Sequence, residues 1–292
     1  MVVHHLTATI DGYKVFYREA GPTDAPTVVL LHGFPTSSFM FRDLIPRLAE
    51  RYHVIAPDHV GFGFSAAPAV DGFDYTFDAL AAVTGGLLTQ LGVEAFFVYV
   101  QDYGAPIGWR LALSHPERIL GVVSQNGNAY EEGFVASFWD PIWAFAADPT
   151  PATETPLRAA FELDTIRWQY VTGVPDPTLI SPDTWTHDHA LVNRPGNPEI
   201  QLALSRDYAS NRPLYPLVQE WFRSSQVPLL AVWGGNDEIF GPDGARAFSR
   251  DLPTAQVELL DTGHFALETH LQEISTHVLT FLDATSAATN RA

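Results

Sequence analysis

Phe97-Val98-Tyr99-Val100-Gln101-Asp102-Tyr103-Gly104-Ala105-Pro106-Ile107-Gly108 decides how the rest of this chain is read. The stretch opens as an apolar run of aromatic and β-branched residues, the pattern of a buried strand. A glycine follows, and Ala105 to Ser114 then reads as an Ala- and Leu-rich helix. A strand that turns sharply into a helix presents one polar side chain at the apex, and here it is the Asp102 carboxylate. A carboxylate is ionised at neutral pH, so it attacks a saturated, electrophilic carbon without help from a base.

Outward from this turn the chain alternates strand and helix. Leu6 to Ile10 and Tyr13 to Glu19 flank Asp11-Gly12 and read as a β-hairpin. Thr27 to Leu31 is a continuous apolar run that stops at His32-Gly33-Phe34-Pro35. Ser37 or Ser38 is placed to cap a helix reaching about Glu50. His53 to Ala56 is a strand, Phe77 to Leu91 a helix, Ala95 to Val100 the strand before the turn, and Ile119 to Ser124 a further strand. That rhythm implies an α/β class with a mostly parallel central sheet flanked by helices and joined by right-handed crossovers.

The rhythm breaks between about Gly127 and Leu217, where no buried strand is evident and prolines separate helical pieces. An all-helical insertion in such a sheet is read as a lid, or cap. The sheet pattern returns with Val227 to Trp233, a helix near Gly244 to Asp251, the strand Gln256 to Leu260 and a closing helix from Leu271 to Leu282. The expected division is therefore a core over 1–127, a helical cap over 128–217 and the rest of the core over 218–292.

Composition excludes several classes of function. The 34 acidic residues outnumber the 16 basic ones and give a net charge of −18, so no basic stripe exists to neutralise phosphates and nucleic acid is not an expected partner. There is no cysteine, which removes disulfides, thiolate catalysis and cysteine metal sites. The N-terminus lacks a basic segment followed by an apolar run, and no stretch reads as a membrane span, so a cytoplasmic protein is expected. The His187-Asp188-His189 run lacks a third ligand and reads as a solvated helix start, so no metal is assigned.

The candidate chemistry rests on chain order. Asp102, Asp237 and His264 each follow a strand, where open α/β sheets place their ligands. Any one of them alone could be a helix cap, a turn residue or a surface histidine. Together they have the types and order of a nucleophile, an acid and a base. In that reading Asp102 forms an ester, His264 activates the water that hydrolyses it, and Asp237 orients the imidazole. The backbone N–H groups of Phe34 and Tyr103 are the expected oxyanion donors. Asp58, Gly61 and Gly63 are read as turn formers.

With Asp58-x-x-Gly61-x-Gly63-x-Ser65 and the His-Gly-Phe-Pro turn added, the chain resembles the α/β hydrolases that use an aspartate nucleophile. These are the haloalkane dehalogenases, fluoroacetate dehalogenases and epoxide hydrolases. The resemblance spans nearly everything outside the cap and implies the α/β-hydrolase fold, hydrolysis through an aspartyl ester, and no cofactor. Gln101-Asp102-Tyr103-Gly104, together with Pro35-Thr36-Ser37-Ser38 and Arg42, looks most like the haloalkane dehalogenases.

The branches differ in what stabilises the leaving group. The resemblance places a halide-binding tryptophan after the nucleophile and an asparagine in the turn, where this chain has Tyr103 and Phe34. The arginines that grip a short carboxylate substrate are replaced by Tyr103 and Pro106. By resemblance Trp143 and Tyr208 are leaving-group donors in the cap, with Phe138, Phe145 and Tyr215 as further substrate or leaving-group contacts. A second cap tyrosine, wanted for epoxides, falls near Ile142, which cannot donate a proton, and Tyr103, Tyr170 and Tyr215 are the candidate substitutes. Cleavage of a carbon–halogen bond in a small, largely apolar organohalide is placed ahead of epoxide opening to a diol. A non-catalytic binder that keeps the hydrolase shell is the remaining alternative. The expected partners are the apolar electrophile and water, with no membrane, and a homodimer as the one macromolecular association kept open.

Overall fold

The chain begins with a hairpin: β1 (Val3–Ile10) pairs antiparallel with β2 (Tyr13–Ala20), and Ile10 faces Tyr13 across a two-residue turn. Asp11 and Gly12 take φ of 49° and 87°, the positive values that such a turn requires. The computed structural model describes residues 2–289.

β2 lies antiparallel against β4 (His53–Pro57), and from there the sheet is parallel through β3 (Thr27–Leu31), β5 (Phe96–Gln101), β6 (Ile119–Gln125), β7 (Leu229–Gly234) and β8 (Gln256–Leu260). The eight strands run in the order β1-β2-β4-β3-β5-β6-β7-β8, which puts β5 inside the sheet with β3 and β6 as neighbours. Every residue of β3, β4, β5 and β7 is buried. Strands covered on both faces read as continuous apolar runs, which is why these were legible.

The connecting helices are the single turn α1 (Ile45–Leu48), α2 (Phe77–Gln90) and α3 (Gly104–Ser114). The helix expected from Ser37 to about Glu50 is instead a 3-10 turn over Ser38–Phe41, capped by the Ser37 hydroxyl, followed by α1. Pro46 stands in the first turn of α1, where its missing N–H breaks any continuous ladder. From β6 to β7 the described elements are helical: α4 (Ala136–Ala147), α5 (Pro151–Arg158), α6 (Leu163–Val171), α7 (Pro182–Val192), α8 (Asn197–Asp207) and α9 (Tyr215–Ser225), with short 3-10 turns between. One β-bridge, Phe134 to Phe240, ties the start of this segment to the loop after β7. After β7 come α10 (Pro242–Asp251) and, beyond β8, α11 (Leu267–Thr289), which extends past both ends of the expected Leu271–Leu282 span.

This is the α/β-hydrolase fold, with a mostly parallel sheet flanked by helices and helices inserted between β6 and β7. Among the described residues no helix is long and apolar enough to cross a membrane. The turn from β5 into α3 is tight enough that a Cβ on Gly104 would sit 2.1 Å from the Leu31 carbonyl oxygen. That oxygen belongs to the backbone of a buried strand and cannot yield. Gly104→Ala is therefore expected to lower unfolding stability by about 1–3 kcal/mol, the usual cost of overpacking. Urea denaturation checks it, and a midpoint equal to that of the parent protein would mean that the turn accommodates the methyl group without cost.

Candidate active site

Asp102 ends the β5 turn at φ 47°, a left-handed conformation that costs a non-glycine residue energy and lifts its side chain clear of the sheet. Asp102 is only 5% exposed, and its Oδ1 accepts the Phe34 backbone N–H at 2.7 Å. Gly33 makes this approach feasible, since a Cβ there would lie 2.3 Å from the Asp102 carboxylate. Burial pushes the Asp102 carboxyl up to about 6. The charge of His264 and the N–H groups of Phe34 and Tyr103 pull in the other direction, and Asp237 adds to the rise. The two N–H groups expected as oxyanion donors thus act on the resting carboxylate.

His264 and Asp237 come from the loops after β8 and β7 and meet at 2.8 Å, His264 Nδ1 to Asp237 Oδ2, both buried. Burial alone would lower the imidazole, but the charge and hydrogen bond of Asp237, and the charge of Asp102, carry it above its ordinary value. Asp237 is held in turn: Oδ2 accepts the Asn126 side-chain amide at 2.7 Å, and Oδ1 accepts the Ile239 N–H at 2.7 Å. With Nδ1 protonated against Asp237, Nε2 of His264 is an acceptor, and the Gln101 amide donates to it at 2.8 Å. Asn126 was not singled out from the sequence, and Gln101 entered there only as part of the turn segment, with no role of its own. Their signal was positional, since each ends, or directly follows, a strand on the edge where ligands bind.

Asp102 opens into a cavity of about 190 Å³ between sheet and inserted helices. Phe34 and Tyr103 wall it on the sheet side, and Phe138, Trp139, Ile142, Phe161 and Gln169 on the helical side. The wall is mostly apolar, suited to a small apolar molecule. Trp139 takes part with its ring only, because its indole N–H donates to the Ile239 carbonyl at 2.8 Å.

Several residues expected in the site are elsewhere. Trp143 stacks on Trp139 at 5.1 Å and carries the Arg212 guanidinium over its ring at 4.9 Å, so it faces away from the cavity. Phe145 is buried in the core below the same helix. Tyr208 is fully buried behind Trp139 and Tyr103, with ring centroids 4.4 and 5.5 Å away, and Tyr215 stacks on Phe134. The Tyr208 and Tyr215 hydroxyls lie near enough to perturb each other, but neither completes a well-formed hydrogen bond. Of the expected contacts, Phe138, Phe34 and Tyr103 are on the wall and these four are not.

Two loop readings also meet the structure. The Asp58 carboxylate binds the Ser38 and Phe64 N–H groups at 2.8 Å each, tying two loops together. His187-Asp188-His189 is not a solvated helix start: it lies in the second half of α7, with Asp188 fully buried and accepting the Tyr170 hydroxyl. Among the described residues no group of three or more histidine, aspartate or glutamate side chains is arranged to hold a metal ion.

A model of the family described as alpha/beta hydrolase fold matches residues 26–271. The uncharacterized hydrolase YNR064C of Saccharomyces cerevisiae is 46% identical over 94% of this chain and 95% of its own length. The cis-3-alkyl-4-alkyloxetan-2-one decarboxylase of Shewanella oneidensis is 29% identical over 94% of this chain and 87% of its own. The solved haloalkane dehalogenase DbeA-M1 loop variant of Bradyrhizobium elkanii superposes with a TM-score of 0.81 at 23% identity, covering 99% of both chains.

A buried carboxyl raised above its unfolded value weakens the fold once it ionises. From an ordinary 3.8 to about 6, the stability present below pH 4 is lost as pH rises through the window to about 6, on the order of 3 kcal/mol. Asp102→Asn keeps the oxygen that accepts from Phe34 and removes the charge. It is expected to be more stable than the parent at pH 8 by about 2–3 kcal/mol, with the gain gone below about pH 4. Urea unfolding at both pH values tests this, and a variant no more stable than the parent at pH 8 would contradict it.

Proposed function

The chain belongs to the α/β hydrolase fold family, and from that footing we propose that it hydrolyses small apolar electrophiles through an ester on Asp102, with strained oxygen rings such as epoxides as the preferred substrates. Segment 128–217 serves as the lid in this reading. The observation that carries the choice is the cavity wall: it has a phenol, Tyr103, beside the nucleophile and no free indole N–H for a halide. This reverses the order drawn from the Gln101-Asp102-Tyr103-Gly104 and Pro35-Thr36-Ser37-Ser38 segments. The relation to a protein named for an oxetan-2-one, itself a strained oxygen ring, lends further support.

In the first step one Asp102 oxygen bonds to a ring carbon while the C–O bond breaks. Its electron pair goes to the ring oxygen, which takes the Tyr103 hydroxyl proton. Burial, first, and the nearby Asp102 charge raise the Tyr103 phenol above its ordinary value. That brings it nearer to the basicity of an alkoxide, the match that efficient proton transfer needs. In the second step His264 deprotonates a water, and the hydroxide adds to the ester carbonyl. The oxyanion forms on the oxygen already facing Phe34 N–H, so no donor has to move. Collapse expels the diol oxygen, which takes the proton from His264. The proton shed by the regenerated Asp102 carboxyl restores Tyr103.

Gln101 caps the His264 nitrogen that must receive the water's proton, so this amide has to release Nε2 for the second step. Carbon–halogen cleavage is the second reading, favoured by the apolar cavity and the Gln101-Asp102-Tyr103-Gly104 turn. It uses the same two steps without a proton for the leaving group.

His264→Gln blocks the second step and is expected to accumulate the ester. Incubated with 1,2-epoxyhexane, the intact protein should gain the mass of the whole epoxide. An adduct from 1-bromohexane alone, lacking bromine, would replace this reading with the second. No adduct from either, and no turnover by the parent protein, would end the aspartyl-ester proposal.

A further inference from the structure

Gln169 was unremarkable in the sequence, and its place in the structure is not. It sits on α6, is only 2% exposed, and its side-chain nitrogen has no hydrogen-bond partner. A buried amide without a partner costs about 1–3 kcal/mol. It lines the Asp102 cavity and also a narrow crevice formed with Asp237 and His264. Its helix comes from the insertion and Asp102 from the sheet, and the two residues line the same cavity.

Apart from the Tyr103 phenol, assigned above to proton transfer, the other donors on that wall are committed or wet. Trp139 N–H is spent on Ile239, and the Ser205 hydroxyl donates to the Gln201 carbonyl at 2.8 Å. Ser137 is exposed and Thr165 half-buried, so both hydroxyls remain within reach of water. The Phe34 N–H is bound to Asp102 itself. Gln169 is thus the fully buried side-chain N–H donor left unspent on the wall, among the described residues.

We infer that Gln169 is a catalytic residue whose side-chain amide binds the atom leaving the substrate carbon as Asp102 attacks. The inference rests on the ester mechanism proposed above and adds to it the donor that the cap tryptophan does not supply. An amide is too weak an acid to protonate an alkoxide, so Tyr103 gives the proton and Gln169 the hydrogen bond. As charge moves onto the leaving atom, that bond strengthens, which is the condition for lowering the barrier and not merely tightening binding. The donor also suits a halide, so Gln169 serves either substrate reading.

Gln169→Leu removes the amide and keeps a similar volume in an apolar wall. In the His264→Gln background, ester formation from 1,2-epoxyhexane or 1-bromohexane, followed by rapid quenching and intact mass, should slow about 100-fold, the typical loss for one such donor. With His264 intact, the hydrolysis rate of the preformed ester should be unchanged, and the melting temperature should not fall. Unchanged ester formation would overturn the assignment. So would normal ester formation with slowed hydrolysis, which would put the amide on the water. If the His264→Gln parent forms no ester, the functional reading itself fails, and a second measurement still judges the amide. Binding of 1-hexanol, read by tryptophan fluorescence, should weaken about tenfold in Gln169→Leu, the size of one neutral hydrogen bond. Equal binding in that case overturns the inference.

Discussion

The hydrogen bond from the Phe34 backbone to Asp102 Oδ1 is the contact on which the site is built. It needs a glycine before Phe34 and a second one at Gly104, because any side chain at either position would occupy the space of the turn. It also needs β3 and β5 side by side in the sheet, since the donor follows one strand and the acceptor the other. The sheet order, the two close approaches and the positive φ at Asp102 are therefore one requirement seen at three scales. The hydrogen bond offsets part of the cost of burying a carboxylate, and the raised Asp102 value shows that the remainder is not offset.

The second charge group works by the opposite balance. Asp237 receives three hydrogen bonds, from Asn126, Ile239 and His264, which hold it in place beneath the imidazole. Its charge and hydrogen bond, together with the Asp102 charge, outweigh the burial of His264 and raise the imidazole above its ordinary value. Two carboxylates within one small volume are thus separated in role by their surroundings: one well supplied with donors, the other kept short of them. Asn126 contributes at both ends of this arrangement, because its side chain also accepts the Gly234 N–H at 2.9 Å and so anchors β7 beside β6.

The fold was legible because its signals are local. Continuous apolar runs marked β3, β5, β6 and β7, and Asp11-Gly12 marked the hairpin. The order of Asp102, Asp237 and His264 was legible for the same reason, each following a strand. The wall of the cavity was not. Trp139 and Trp143 are one helical turn apart and chemically alike, yet one lines the cavity and the other lies under Arg212. Which face of α4 meets the sheet depends on how the whole insertion docks, through contacts distant in sequence such as the bridge from Phe134 to Phe240. Asp188 shows the same limit: a charged residue among histidines looks solvated until the packing of α7 buries it. Gln169 carried no sequence signal, since a glutamine in a helix is ordinary and only an unpartnered buried nitrogen on the cavity wall sets it apart.

The site's polar groups divide by whether they are spent before substrate arrives. Asp237, Trp139 and Asp58 have their hydrogen bonds completed within the protein and hold shape. Asp102, Gln101 and Gln169 do not: the first is underprovided, the second has an unpaired carbonyl oxygen, and the third an unpaired amide nitrogen. Unspent buried groups weaken the folded state and are rarely kept without use. Asp102 and Gln169 line the same cavity, and Gln101 is bound to His264 through its amide nitrogen. A reaction that moves charge from Asp102 to the leaving atom would relieve the buried carboxylate and give the Gln169 amide an acceptor at the transition state. The free energy stored by leaving them unpaired would then be released where it lowers the barrier. Filling those partners with protein donors and acceptors would give a more stable fold and a poorer catalyst.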